Sequence, residues 1–215
     1  MLDDVEAVRR PRGRPQLRPD DETRALLIEA AAAEFQRHGY AGTGMGAVAQ
    51  RAGVSTKTLY RLIPTKAALF TTVVNERIGR FLVAFDEVAL DGLEVDQALR
   101  HILVTYADLT LSTETIAINR LVIGESDRFP EIAAEFYASA VMRAGDRIEA
   151  WLARETAQGR LNVADPKQAS GMLRGMMVME PQRAAMLGQR QPPSADEIDA
   201  RARACAALFL EGCRP

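Results

Sequence analysis

The sequence predicts an all-α protein with a helix-turn-helix near its N-terminus, and three observations carry that prediction. Apolar residues recur at helical spacing along the chain, and no alternating stretch is long enough for a strand. Gly, Pro and Ser/Thr/Asp punctuate the pattern where helix ends belong. Two very short helical units, Met45–Ala52 and Thr56–Leu62, flank Gly53-Val54-Ser55. The bulk numbers agree. With 215 residues, 47% of them hydrophobic, the chain suits one domain or two small ones and excludes wholesale disorder.

The elements follow in order. Residues 1–19 predict a flexible basic arm: five arginines, no apolar period, and Pro11, Pro15 and Pro19 against any helix. Behind Asp20-Asp21, the stripe Leu27, Ala31, Phe35 opens a helix that Gly39 ends in left-handed geometry. Thr65 caps a longer helix to about Ala89, with Leu69, Phe70, Val73, Ile78 and Phe81 on its inner face. Further helices are expected over Val95–Leu111 and Glu114–Gly124, and from Pro130 to near Gly159. Asp165-Pro166 opens a helix to about Gly188 that Pro181 should kink or end. Ser194-Ala195-Asp196-Glu197 is a capping box for a last helix to Gly212. About nine helices result.

Charge adds direction. The whole chain carries −2, yet residues 9–66 hold eleven basic residues against five acids, a balance of +6 that leaves −8 elsewhere. A basic head on an acidic body suits a polyanion that meets only the head. No stretch of about 18 uncharged apolar residues spans a membrane, no apolar leader opens the chain, and Cys205 and Cys213 cannot build a disulfide scaffold. A cytoplasmic protein is expected. His38 and His101 lack partners at metal-ligand spacing, so no metal, cofactor or catalytic constellation is expected, and no enzyme.

In the short helical pair, Val48, Ala52, Val54, Leu59 and Leu62 are the buried positions, Ala49 the close contact, and Gly53 the turn residue with positive φ. Ser55 caps the second helix and leaves Thr56, Lys57, Thr58, Tyr60 and Arg61 for a major groove. Gly42-Thr43-Gly44-Met45-Gly46-Ala47 also satisfies a loose dinucleotide-binding pattern. That motif needs a strand before it, and a helix precedes it here.

Gly39-Tyr40, Thr43, Val48-Ala49, Ala52-Gly53-Val54-Ser55, Thr58-Leu59-Tyr60 and Lys66-xx-Leu69-Phe70 resemble the N-terminal domain of TetR/AcrR-family regulators over roughly residues 22–72. The resemblance implies a homodimer that reads a palindromic double-stranded operator through N-terminal heads, mostly as a repressor released by a small effector. It implies phosphate contacts from Thr43, Tyr60 and Lys66, with Ser55, Thr56, Lys57 and Thr58 opening the recognition helix. Arg61 is the candidate for a guanine edge. Gly44 and Leu62 depart from the family pattern, which keeps open a helical ligand-binding or scaffold protein that has lost DNA readout. Arg12-Gly13-Arg14-Pro15 is similar to the core of an AT-hook, whose arginines lie in the minor groove. Residues 119–137 are similar to an AefR-like C-terminal subfamily.

The division expected is an arm (1–19), a DNA-binding domain (20–66, its helix-turn-helix about 44–63), a connecting helix (67–90) and an effector-binding and dimerisation domain (91–215). Tyr106, Asn119, Phe136, Met142, Trp151 and Met176 are the expected pocket, for an apolar or amphipathic effector. Ala169, Leu173, Ile198, Ala202, Cys205 and Phe209 form stripes on the last two helices, expected to pair with their copies in a dimer.

Overall fold

The computed structural model describes residues 18–85, 90 and 92–213. Among them it has ten α-helices, one π-helical segment and no strand. Helix α1 (Asp20–Gly42) carries three acids in its first turn, where the helix dipole favours them. Leu27 and Ala31 are fully enclosed and Phe35 nearly so. At Gly39 (φ 69°, ψ 178°) the regular helix breaks, and a short turn over Tyr40–Gly42 redirects the chain. Helices α2 (Met45–Arg51) and α3 (Thr56–Leu62) then pack through Val48, Ala49, Leu59 and Leu62, with Gly53 at φ 68° in the tight turn between them. The Ser55 hydroxyl accepts from the Thr58 amide at 3.0 Å and so caps α3.

Helix α4 (Lys66–Ala84) is shared between two cores. Leu69, Phe70, Val73, Val74 and Ile78 belong to the core around α1–α3, and Phe81 belongs to a second one. That second core is built on α5 (Val95–Thr110), whose Leu99, Ile102 and Leu103 have no exposed surface. Helix α6 (Thr113–Glu125) follows, capped by Ser112. The segment expected as one helix from Pro130 is one helical run: α7 (Pro130–Phe136), the π turn Tyr137–Met142, and α8 (Arg143–Ala157). Helix α9 (Pro166–Met186) opens on an Asp165 cap. Helix α10 (Ala195–Glu211) opens on a complete capping box. Helix α4 stops at Ala84, with Phe85 already non-helical (φ −86°, ψ 55°), short of the expected Ala89, and the arm at 1–17 lies outside the described residues.

Two expectations are corrected here. Pro181 does not end α9, which runs on to Met186. A proline cannot donate to the carbonyl four residues back, here Met177, and Arg201 Nε of α10 donates to that carbonyl at 2.8 Å. The freed acceptor is satisfied from the neighbouring helix. The expected dimer stripe is also spent within the chain. Leu173 and Ala202 are fully enclosed, Ala169, Ile198 and Cys205 are buried, and half-buried Phe209 packs on the same core. Those faces close against α5 and α8, because each helix offers its widest apolar face to its own core first. Met172, Met179 and Leu208, more than half exposed, lie on other faces.

Candidate nucleic-acid interface and cavity

Seven residues make α3. Burying Leu59 and Leu62 turns Thr56, Lys57, Tyr60 and Arg61 outward, with Tyr60 52% exposed. Ser55 and Thr58 share a hydrogen bond at 2.8 Å, so their hydroxyls already hold the start of the helix. The Arg61 guanidinium forms a bidentate pair with Asp20 at 2.7 and 2.8 Å, on the surface of the head. Exposed pairs of this kind exchange readily, and a guanine edge would have to displace Asp20.

Two expected phosphate contacts are instead used inside the head. Thr43 is buried and its hydroxyl donates to the Gly39 carbonyl at 2.7 Å. The Lys66 ammonium donates to the carbonyls of Tyr40 (2.8 Å), Thr43 (3.0 Å) and Ala41 (3.3 Å) and lies 4.8 Å from the Tyr40 ring centre. An ammonium has three N–H groups, and all three are occupied. The physical reason is the break at Gly39. It strips the end of α1 of helical partners, and a cation satisfies the orphan carbonyls. Arg51 likewise pairs with the buried Glu34 at 2.5 Å, tying α2 to α1. Arg12 and Arg14 lie outside the described residues.

The same corner is the seam with the rest of the chain. Glu125, at the end of α6, accepts from the Ala41 amide at 3.0 Å. A Cβ at Gly39 would stand 3.1 Å from that carboxylate oxygen, so glycine suits this place on two counts. Phe129 meets the Tyr40 ring edge-on at 5.0 Å, and Phe35 and Phe70 close the aromatic cluster. Burial, helped by the nearby Glu131 carboxylate, pushes the Tyr40 phenol above its ordinary pKa.

Between the two cores lies a cavity of about 270 Å³. Val74 and Ile78 of α4 face it from one core, and Tyr106 of α5 and Val178 of α9 from the other. Its apolar wall is completed by Leu109, Ile118 and Phe136, the last beside the π turn. Such turns are frequent at functional sites because they shift the register of side chains along a helix. Of the expected pocket residues, Tyr106, Asn119 and Phe136 line it. Trp151 is corrected: it is buried in the second core. Met142 and Met176 are corrected too; both are half-buried outside the wall, and Met176 packs on that same core.

Burial pushes the Tyr106 phenol up, while the adjacent Arg174 guanidinium pulls the other way. Arg174 and Gln182 are wall residues that sequence reasoning missed. The available signal was their spacing: Arg174, Val178 and Gln182 recur every four residues and share one face of α9. Among the described residues no cluster of His, Cys, Asp and Glu could hold a metal, and no helix is long and apolar enough to cross a membrane. Cys205 and Cys213 are free thiols whose pKa burial raises.

A short exposed helix across a tight turn from its partner, on a head braced against an all-helical body with a cavity, defines a helix-turn-helix regulator class. Residues 27–73 match the family model for bacterial regulatory proteins of the tetR family. Residues 97–212 match that for the AefR-like transcriptional repressor C-terminal domain. The chain belongs to the TetR family of DNA-binding transcriptional regulators. It is 30% identical over 90 residues to the HTH-type transcriptional activator FasR of Mycolicibacterium smegmatis, covering 42% of this chain and 41% of that one. Over 116 residues it is 27% identical to the transcriptional repressor ComR of Escherichia coli K12, covering 54% and 53%. The chain thus spans about half or less of the length of these curated relatives.

Among solved structures, one from Mesorhizobium loti MAFF303099 assigned to the TetR family superposes with a TM-score of 0.81 at 24% identity, covering 92% of this chain and all of that one. The flavonoid-responsive regulator FrrA gives 0.73 at 27% identity, covering 91% and 98%.

Proposed function

We propose that the protein is a cytoplasmic, non-enzymatic repressor that binds a palindromic operator as a homodimer and is released when a small effector enters the cavity. The domain division expected from the sequence, with a head over 20–66 and an effector and dimer domain from 91, belongs to this reading. One observation carries it. Helix α6 lines the cavity with Thr115, Ile118 and Asn119 and ends in Glu125, whose carboxylate holds the Ala41 amide of the head. A ligand that moves α6 therefore moves a hydrogen bond to the corner that positions α2 and α3.

Thr56, Lys57 and Tyr60 are the groups this reading places on DNA, with Arg61 joining them once Asp20 is displaced. Met172 of α9 and Leu208 of α10 are apolar residues left for a partner copy, in place of the stripe the monomer buries, while Met179 lines the cavity. The side-by-side placement of α9 and α10, tied by Arg201, supports a surface made of both. FrrA, described as flavonoid-responsive, shares this fold, which supports an organic effector of modest size. The occupied state of Lys66 and Thr43 favours a second reading, a ligand-binding protein without DNA readout.

Fluorescence anisotropy against the DNA upstream of the protein's own gene, with a scrambled duplex as control and at two salt concentrations, separates them. The repressor reading expects the upstream duplex to bind at least about 10³-fold more tightly than the control, with a steep negative salt slope. Weak, equal binding to the upstream duplex, the control and genomic fragments would leave the second reading. Glu125→Ala tests the coupling: operator affinity should stay within about threefold, while effector-induced release falls by tenfold or more. Unchanged release would break the link through α6.

A further inference from the structure

Two arginines and no carboxylate line the cavity. Arg77, one of the two, has Glu114 at 3.7 Å. Arg174 has no acidic partner among the described residues. Its Nη1 reaches the Val141 carbonyl only at 3.4 Å, and its Nε is fully enclosed with no hydrogen-bond partner at all. A buried guanidinium donor left open carries an unrecovered desolvation cost, so its persistence asks for a group that fills the place. The position is also built. At Gly145 of α8 an added Cβ would stand 3.0 Å from both Cζ and Nη2 of Arg174, so the missing side chain makes the slot in which the guanidinium lies. Ser170 fixes the same crossing by donating to the Gly145 carbonyl at 3.0 Å. The Tyr106 hydroxyl, beside Arg174, and Gln182 add polar contacts to the wall.

Resting on the effector reading above, we propose that the cavity takes an anionic amphiphile, an organic monocarboxylate whose carboxylate is held by Arg174 while its apolar body lies among Val74, Ile78, Ile118 and Val178. The geometry favours a carboxylate over a neutral polar head because a guanidinium offers parallel N–H donors that a carboxylate accepts in pairs. It disfavours an ammonium, which would meet two arginines and no acid.

The test is isothermal titration calorimetry on the full-length, DNA-free protein with 2-naphthoate, 4-phenylbutyrate and octanoate, each beside its neutral primary amide. At least one carboxylate should bind ten or more times more tightly than its amide. Arg174→Gln should abolish that preference, and Arg174→Lys should keep part of it. Gly145→Ala, whose added Cβ shifts the guanidinium by a few tenths of an ångström, should reduce the preference while leaving the amide's affinity within about twofold. Thermal unfolding of each variant establishes that it is folded. Equal affinity for acid and amide, a preference that survives Arg174→Gln, or no carboxylate binding up to millimolar concentration would each overturn the proposal. Because binding is read without DNA, operator failure with carboxylate preference intact sinks only the repressor reading. Operator binding with no such preference sinks only this one.

Discussion

In the head, Lys66 gives its ammonium to three carbonyls, Arg51 pairs with buried Glu34, and Arg61 lies bidentate on Asp20. In the cavity, Arg174 reaches the Val141 carbonyl at 3.4 Å and the Tyr106 hydroxyl, and leaves its Nε unbonded. The region whose positive charge advertises a polyanion has most of its inward cations already engaged, whereas the acidic body encloses an open one. Charge counted along a sequence therefore says where an anion can approach, but not which cations are free to meet it. Lys57 at the outer face of α3 and Arg174 in the cavity are the two that fit an incoming anion best.

The largest way to break that comparison is Lys66→Met. If the ammonium is a brace, three carbonyls of the Tyr40–Thr43 corner lose their donor. Stability should fall by about 1–3 kcal/mol, roughly 3–10 °C in Tm for a chain of this size. Operator affinity would fall only with the folding of the head. If Lys66 is a phosphate contact instead, Tm stays put and the salt slope loses about one unit. Thermal unfolding and anisotropy on one sample decide it.

Lys57→Ala is the converse and the next largest on DNA. Lys57 is exposed and makes no hydrogen bond or ion pair among the described residues, so stability should change by less than about 0.5 kcal/mol. Binding to every duplex should weaken several-fold, and the logarithmic salt slope should drop by about one. A variant that melts early, or one that binds as before, would remove Lys57 from the interface.

This contrast also marks what could be read from the sequence. Helix positions were legible because their signals are local: the Ser194–Glu197 box, Asp165 before Pro166, Gly39 and Gly53 at positive φ. So was the turn between α2 and α3, since its buried residues lie within fifteen positions of one another. What escaped depended on partners far along the chain. Lys66 meets carbonyls more than twenty residues away, Pro181 is rescued by Arg201, and Gly145 makes room for Arg174. An apolar stripe says that a helix buries one face, but not whether its own chain or a second copy covers it. That is why the residues from Ala169 to Phe209, expected at a dimer interface, lie in or against the chain's own core.

A smaller effect sharpens the comparison inside the head. Asp20→Asn removes the anion that holds Arg61 and one negative charge from the face proposed to meet DNA. Operator affinity should rise about two- to fivefold, most at low salt, and Arg61→Ala should then cost more in the Asp20→Asn background than in the native protein. A double-mutant cycle by anisotropy reads that coupling. Strict additivity would mean that Arg61 stays on the surface of the head when DNA is bound.

The smallest prediction uses pH to tell one kind of tied cation from another. Arg100 of α5 and Arg203 both donate to Asp199 of α10, and the Arg100 hydrogen bond, then that from Arg203, holds the Asp199 carboxyl below the usual carboxylate range. A depressed folded-state pKa gives stability that is whole above the unfolded value near 3.9 and is lost as pH falls through the folded one. Lys66 is different, because its partners are carbonyls, which do not titrate. The urea midpoint of Asp199→Asn should therefore lie slightly below that of the native protein at pH 7 and 5, and the two should converge toward pH 3. The Lys66→Met deficit should persist across the same range. A deficit for Asp199→Asn as large at pH 3 as at pH 7 would show that the side chain acts through packing rather than through its charge.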